Sequence, residues 1–207
     1  MDIFDAYAEE YDNWYERNRF AYLSELEALK CVIPKGDEGV EIGVGTGRFA
    51  KPLGISIGLD PSKNMLQIAK KIAIEAISGK GENLPIADEK FDFVLIVNTL
   101  CFVNDLRQVV IEARRVLKDK GKIIIGVIEK DSFLGKAYQS RKKKSRFYKE
   151  AKLQSGREIV ELLQKYDFKG VITLQTIFRS PEKIKVIESP RKGFGKGGFT
   201  VVCAEKI

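Results

Sequence analysis

The sequence predicts an α/β protein: a doubly wound, mostly parallel seven-stranded sheet with an antiparallel edge strand and helices on both faces. Three observations carry that prediction. Between residues 39 and 128 short apolar runs alternate with amphipathic helical stretches, and strands joined through helices pair in parallel by right-handed crossovers. The run Phe91, Asp92, Phe93, Val94, Leu95, Ile96, Val97 is almost wholly apolar, as a central strand covered on both faces requires. After Glu129 the alternation loosens into two late strands separated by a Gly-rich stretch at 193–198, which suits a closing antiparallel pair at the sheet edge.

The elements follow in chain order. Ile3, Phe4, Tyr7, Tyr11, Trp14 and Tyr15 recur at three- and four-residue steps and predict helix. A second amphipathic stretch over 20–29 ends before Pro34 and Gly36. Strands are expected at 39–43, 55–59, 74–77, 91–97, 122–128, 171–178 and 199–204. Between them, 61–71 opens with helix-initiating Pro61 and Ser62, and 105–117 carries a helical apolar stripe. Only a short segment separates Gly47 from Asp60, so the first crossover helix must be brief and stop near Pro52. Residues 155–166 form a helix with Ser155 as cap and Glu158 at its third position.

Bulk properties narrow the function. A chain of 207 residues suits a single domain, and 44% hydrophobic with 31% charged residues describes an ordinary globular protein. No apolar run approaches the roughly 18–20 residues that span a bilayer. The acidic, aromatic start is unlike a signal peptide, so a cytoplasmic protein is expected. Cys31, Cys101 and Cys203 are isolated, which suggests neither a disulfide framework nor a thiolate metal site, and no metal is expected. Histidine is absent, so any chemistry runs on carboxylates, tyrosines, lysines, backbone groups or a reactive cofactor. The net charge of +7 comes mostly from lysines and arginines interleaved with acids. Residues 141–148 are the exception: a basic run beside Phe147 and Tyr148, which suits either a solvated loop or a grip on RNA or an anionic small substrate.

The informative stretch is Glu41-Ile-Gly43-Val-Gly45-Thr-Gly47-Arg48. Glycine is needed where a strand turns sharply into a helix and where backbone approaches a ligand. The spacing is not that of a dinucleotide fingerprint, because the third glycine comes one residue early and Arg48 stands where that fingerprint needs Gly. Asp60 ends the next apolar strand. Downstream lie Gly79-Lys80-Gly81-Glu82-Asn83-Leu84-Pro85, then Phe91-Asp92, then Arg115-Val116-Leu117-Lys118-Asp119-Lys120-Gly121.

In combination these segments resemble the class I S-adenosylmethionine-dependent methyltransferases, whose fold is a Rossmann-like α/β sheet. The opening, Phe4-Asp5-Ala6-Tyr7 through Trp14, is similar to the N-terminal lid of small-molecule members of the ubiquinone and menaquinone biosynthesis type. The resemblance runs from about Phe4 to Ile128. It implies S-adenosylmethionine as cofactor, with Glu41, Gly43, Gly45 and Gly47 at its methionine end and Asp60 on the ribose. It further implies Gly81 and Glu82 near the adenine and Asn98 beside the methyl-donor pocket; Tyr7, Tyr11 and Trp14 either form a lid or substrate contact over the cofactor or only pack the first helix down. Lys80 departs from the family, which usually has Asp there. Asn98-Thr99-Leu100-Cys101 lacks the motif of amide- and adenine-nitrogen methylators, and Cys101 is expected to be an inert packing residue.

The resemblance divides the chain into a lid at 1–34, a cofactor-binding core at 35–130, a substrate-recognition insertion at 131–155 and closing elements at 156–207. Three functions stay open: methyl transfer to a small molecule, to RNA or protein through 141–148, or cofactor binding by a non-catalytic regulator. The aromatic lid and the lack of a separate RNA-binding domain favour the first. The catalytic group itself is not identified.

Overall fold

The structure is a computed structural model that describes residues 3–207. Its centre is one sheet of eight strands in the order β3-β2-β1-β4-β5-β8-β6-β7. β1 (Gly39–Ile42), β2 (Ile57–Asp60), β3 (Glu75–Ser78), β4 (Phe91–Val97) and β5 (Leu117–Ile128) are parallel. β8 (Phe199–Lys206) runs antiparallel to both β5 and β6 (Phe168–Thr176). The seven expected strands are present, and an eighth is added. β7 (Arg191–Lys192) is a two-residue rung on Leu174 and Gln175, too short to leave an alternation in the sequence.

Both faces of the sheet are covered, and side chains alternate as the pleat demands. From β4, Val94 and Ile96 enter one core, with Val109, Val110, Ala113 and Val116 of α5 (Leu106–Val116) and Ile159 and Leu163 of α7 (Gly156–Lys165). Phe93, Leu95 and Val97 enter the other, with Ala21, Leu26, Ala28 and Leu29 of α3 (Arg19–Lys30) and Leu66 and Ala69 of α4 (Lys63–Lys71). That double coverage explains why β4 reads as a continuous apolar run.

Helix starts follow their side chains. The Ser155 hydroxyl accepts from Glu158 N at 3.2 Å while Ser155 N donates to the Glu158 carboxylate at 2.7 Å, which is the expected reciprocal cap. Asp105 and Ser62 cap α5 and α4 by their side chains alone, accepting from Arg107 N and Gln108 N and from Met65 N. Residues 3–30 break into α1 (Ile3–Ala6), α2 (Ala8–Arg17) and α3, with the interruptions at Tyr7 and Asn18. Between β1 and β2 only a 3-10 turn, Lys51–Leu53, is made, ended by left-handed Gly54. A further helix, α6 (Phe133–Ser140), lies within the expected insertion. Among the described residues, no helix is long and apolar enough to cross a membrane.

Candidate active site

Strand order reverses between β1 and β4, because the chain runs outward to β3 and then returns to the other side of β1. Ligand crevices in open α/β sheets form at the carboxyl ends of strands at such a switch point. Immediately beyond β1 the chain turns through Gly43 (φ 75°) and Gly45 (φ 52°). This left-handed region costs an L-residue about 1–2 kcal/mol. The two glycines serve different neighbours. A Cβ on Gly43 would stand 2.1 Å from Thr99 Oγ1, whereas at Gly45 the nearest protein atom is Met65 Sδ at 4.0 Å. The protein's own packing demands Gly43; Gly45 faces open space.

The turn is tied to the end of β2. Gly43 N and Val44 N donate to the Leu59 carbonyl at 2.7 and 3.0 Å. Asp60 accepts from Gly45 N at 2.9 Å and from Ser62 N at 2.8 Å, so one carboxylate joins the Gly-rich turn to the start of α4.

Above these strand ends lies a cavity of about 570 Å³. Glu41, Gly43, Gly45, Asp60, Gly81, Glu82 and Asn98 all line it, as does Lys80. Gly47 does not. Its Cβ direction meets Ile72 Cδ1 at 2.9 Å, so this glycine lets the turn lie on α4 and the residues after it. Gly81 is closely packed as well, since an added Cβ would stand 3.0 Å from Ile42 Cγ2. The Glu82 carboxylate accepts from Asn104 N at 2.8 Å and thereby holds the turn after β4.

Two acceptors in this cavity have no partner: Glu41 Oε2 and Asn98 Oδ1 are buried and unbonded. Burial, with the nearby Asp60 charge, holds the Glu41 carboxyl well above the usual carboxylate range. Orphaned buried acceptors are costly and call for a donor-bearing ligand. A ligand with an ammonium and hydroxyls supplies the donors that these two acceptors lack.

The N-terminal helices roof the cavity and are latched at both ends. Asp5 accepts from Ser62 Oγ and Asn64 N, each at 3.0 Å, which fixes α1 to the start of α4. Asp12 accepts from Arg48 Nε at 2.8 Å and Nη2, and from Thr46 Oγ1 at 2.5 Å, which fixes α2 to the Gly-rich turn. Burial opposes ionisation of Asp12, yet Arg48 and Thr46 hold its carboxyl below the ordinary value. Arg48, whose place in the motif excluded a dinucleotide fingerprint, is the lid's anchor.

Of the expected lid residues, Tyr11 lines the cavity, and Tyr15 joins it. Tyr7 and Trp14 do not. Tyr7 has non-helical dihedrals and is 40% exposed, with the Arg146 guanidinium 4.3 Å from its ring centroid. Trp14 rests edge-on against Tyr15.

The basic segment divides. Lys142–Lys144 forms a 3-10 turn with no buried residue, but Arg146 folds back to pair with Glu10. Phe147 stacks on Phe4 with centroids 5.7 Å apart and meets Tyr11 edge-on at 5.3 Å. Arg146, Phe147, Lys149 and Glu150 all line the cavity, so this part of the insertion completes its roof.

Sequence reasoning missed Phe4, Phe102 and Thr99 as lining residues and Asp12 as the latch of the roof, and it passed over Glu25, a buried carboxyl outside the lining. A signal existed for Glu25. Ala21, Ser24, Glu25, Ala28 and Leu29 form one helical stripe, and all are buried. A carboxylate on a buried stripe is an anomaly worth marking. Glu25 is 5% exposed, its Oε2 has no partner, and burial raises its carboxyl to about 8. Cys101 is buried with its thiol pushed up to about 12 by burial, which suits packing rather than attack.

Glu25 gives a pH prediction. With a folded-state pKa raised from 4.5 to about 8, the native state holds its proton more tightly than the unfolded state. Its unfavourable contribution therefore appears as pH rises past 4.5 and is complete above about 8. The tyrosines that feel its charge (Tyr11, Tyr15, Tyr22, Tyr138 and Tyr148) are themselves raised by burial and stay neutral throughout. Glu25→Gln is expected to melt close to the wild type at pH 5 and above it at pH 8.5. An equal offset at both values would show that the carboxyl does not titrate in this window.

The switch-point cavity and its Gly-rich turn define a class of enzymes that hold an adenosyl cofactor for group transfer. Comparison with known proteins specifies the class. The methyltransferase-domain family profile matches residues 40–125. An uncharacterized protein of Methanocaldococcus jannaschii is 53% identical over the full length of both chains. A solved S-adenosylmethionine-dependent methyltransferase of Thermotoga maritima, described as a possible histamine N-methyltransferase, superimposes with a TM-score of 0.97 at 46% identity over 99% of each chain. A demethylmenaquinone methyltransferase, also of Thermotoga maritima, is 33% identical over 60% of this chain and 59% of its own length. The chain belongs to the class I S-adenosylmethionine-dependent methyltransferase family: it is an enzyme of that family, and S-adenosylmethionine is its cofactor.

Proposed function

We propose that the protein transfers the methyl group to a small-molecule acceptor enclosed in the cavity. The observation that carries this reading is the roof. α1, α2 and the stretch around Phe147 lie over the carboxyl ends of β1, β2 and β4 and contribute Ile3, Phe4, Tyr11 and Phe147 to the lining. An acceptor reaches the cofactor only by fitting beneath that roof, which favours a metabolite over a base or side chain presented by a macromolecule. The Thermotoga relative, described as a possible histamine N-methyltransferase, agrees with a small acceptor.

The bound cofactor supplies a sulfonium methyl already activated for displacement. This chain's residues position the reactants and exclude water. In our reading the Glu41 carboxyl, whose Oε2 is unbonded, and the backbone at Gly43 and Gly45 hold the methionine end, while Asp60 accepts from the ribose hydroxyls. Gly81 and Glu82 border the adenine. Asn98 Oδ1, left unbonded in the cavity wall, borders the methyl-donor pocket. The aromatic rings of Phe4, Tyr11, Tyr15 and Phe147 keep water away from the reacting centre.

Turnover of methyl-labelled cofactor on pooled metabolites against total RNA tests the acceptor class. Label in the metabolite pool is expected; label in RNA alone would overturn the reading. The exposed lysines give a second test. Replacing Lys142, Lys143 and Lys144 by Ser should change cofactor affinity and stability by no more than about 0.5 kcal/mol. Fluorescence anisotropy with a short RNA should give weak, coincident curves for both proteins, vanishing as salt rises. Tight wild-type binding that the variant loses would overturn the small-molecule reading.

A further inference from the structure

Arg115, on α5, does not line the cavity, yet it grips the loop that does. All five of its N–H donors are engaged. Nε and Nη2 fork onto the Glu112 carboxylate, each at 2.8 Å. The remaining donors reach the loop between β3 and β4. Nη2 donates to Leu84 O at 3.1 Å, and Nη1 donates to Ile86 O at 2.8 Å and to Asp88 Oδ1 at 2.6 Å. Glu112, itself buried, accepts from Leu84 N at 2.7 Å. Both backbone groups of Leu84 are thus satisfied by one pair of side chains from α5 rather than by a neighbouring strand.

The same loop carries Lys80, Gly81 and Glu82, which line the cavity just ahead of Leu84. Gly81 has no side chain and so meets a ligand with its backbone alone. Lys80 carries only donors. The Glu82 carboxylate is already engaged with Asn104 N. A base lying against this wall is therefore read largely by peptide groups, and these must be held to within about 0.5 Å for their hydrogen bonds to discriminate. Gly79 N, donating to Asp60 O at 3.2 Å, ties the start of the loop. The Arg115–Glu112 fork ties its far side.

We propose that Arg115, acting through Glu112 and Leu84, is a positioning residue for the base of the cofactor. It fixes the backbone at Gly81 and Glu82 so that the site selects adenine over a base that lacks the 6-amino group. This rests on the adenine assignment made above and deepens it. A lysine cannot replace the fork: its ammonium is a point charge with three donors on a flexible stem, too few to serve Glu112, Leu84 O and Ile86 O in one plane.

The test is calorimetric titration of the full chain with two ligands. One is S-adenosylhomocysteine, the demethylated cofactor product; the other is S-inosylhomocysteine, which has an oxygen in place of the 6-amino group. The wild type should prefer the adenine ligand by roughly tenfold or more, the scale set by one polar group left unpaired. In Arg115→Lys the preference should shrink below about threefold, with the inosine affinity little changed, because the adenine ligand alone loses its hydrogen bonds. Glu112→Gln, which keeps an acceptor for Leu84 N but only one contact with Arg115, should fall between. It decides by the same ratio should Arg115→Lys fail to fold. A merely structural role would lower the melting temperature and weaken both ligands equally. That result, or a wild-type ratio in the folded variants, would overturn the role of Arg115 and leave the adenine assignment standing. A wild type that does not distinguish the two ligands would remove both. Neither outcome bears on the acceptor, which the labelling experiment decides.

Discussion

Replacing Gly43 by alanine is expected to lower stability by roughly 2–5 kcal/mol and to abolish cofactor binding, while Gly45→Ala is expected to keep most of the stability and lose the cofactor. The difference follows from what each glycine faces. At Gly43 two costs add: a left-handed backbone, worth about 1–2 kcal/mol, and a Cβ driven to 2.1 Å from Thr99 Oγ1. Overpacking of that kind costs about 1–3 kcal/mol. For a domain of this size the sum corresponds to a fall in melting temperature of about 5–15 °C. At Gly45 only the backbone cost applies, because no protein atom comes nearer than 4.0 Å to the added carbon. The new methyl group instead enters space beside the cavity. Thermal melts with and without S-adenosylhomocysteine separate the two. Gly43→Ala combined with Thr99→Gly should recover part of the lost stability, since it removes the clash and leaves the strain. A Gly43→Ala protein that melts like the wild type would refute the packing account.

Asp60→Ala should weaken binding of S-adenosylhomocysteine by roughly 1–3 kcal/mol, through loss of a charged acceptor for the ribose hydroxyls. The structure adds a second consequence. Gly45 N and Ser62 N both lose their acceptor, so the turn and the start of α4 should loosen together. Asp60→Asn distinguishes the effects: its amide oxygen can still accept from one of the two N–H groups, but the charge is gone. An affinity that falls in both variants, with stability falling mainly in Asp60→Ala, is the expected pattern. An unchanged dissociation constant in a folded Asp60→Ala protein would sink the ribose assignment.

Much of the fold was legible because its determinants are local. β4 announces itself by composition, and α7 by the Ser155–Glu158 cap, whose partners are three residues apart. Errors lie where pairing rather than propensity sets the boundary. β5 begins at Leu117, ahead of its apolar run, because Leu117 pairs with Phe91 across a bulge. β7 exists only because Arg191 and Lys192 meet β6. The first crossover, expected to be brief, is a single 3-10 turn around Pro52.

The sequence by itself determined the cofactor class and singled out the Gly-rich turn and Asp60, which meet at the cavity. Left-handed turns and a carboxylate at a strand end are demands of the backbone on particular positions, and such demands restrict residue type in place. Tertiary structure alone decided which side chains enclose the cavity. Tyr7, Tyr11 and Trp14 share one periodic stripe, yet only Tyr11 reaches the cavity, because the helix breaks at Tyr7 and α2 is held by Asp12 on Arg48, 36 residues away. Arg146 closes on Glu10 across 136 residues. Contacts at that separation depend on the packing of whole elements, and residue spacing along one element cannot specify them.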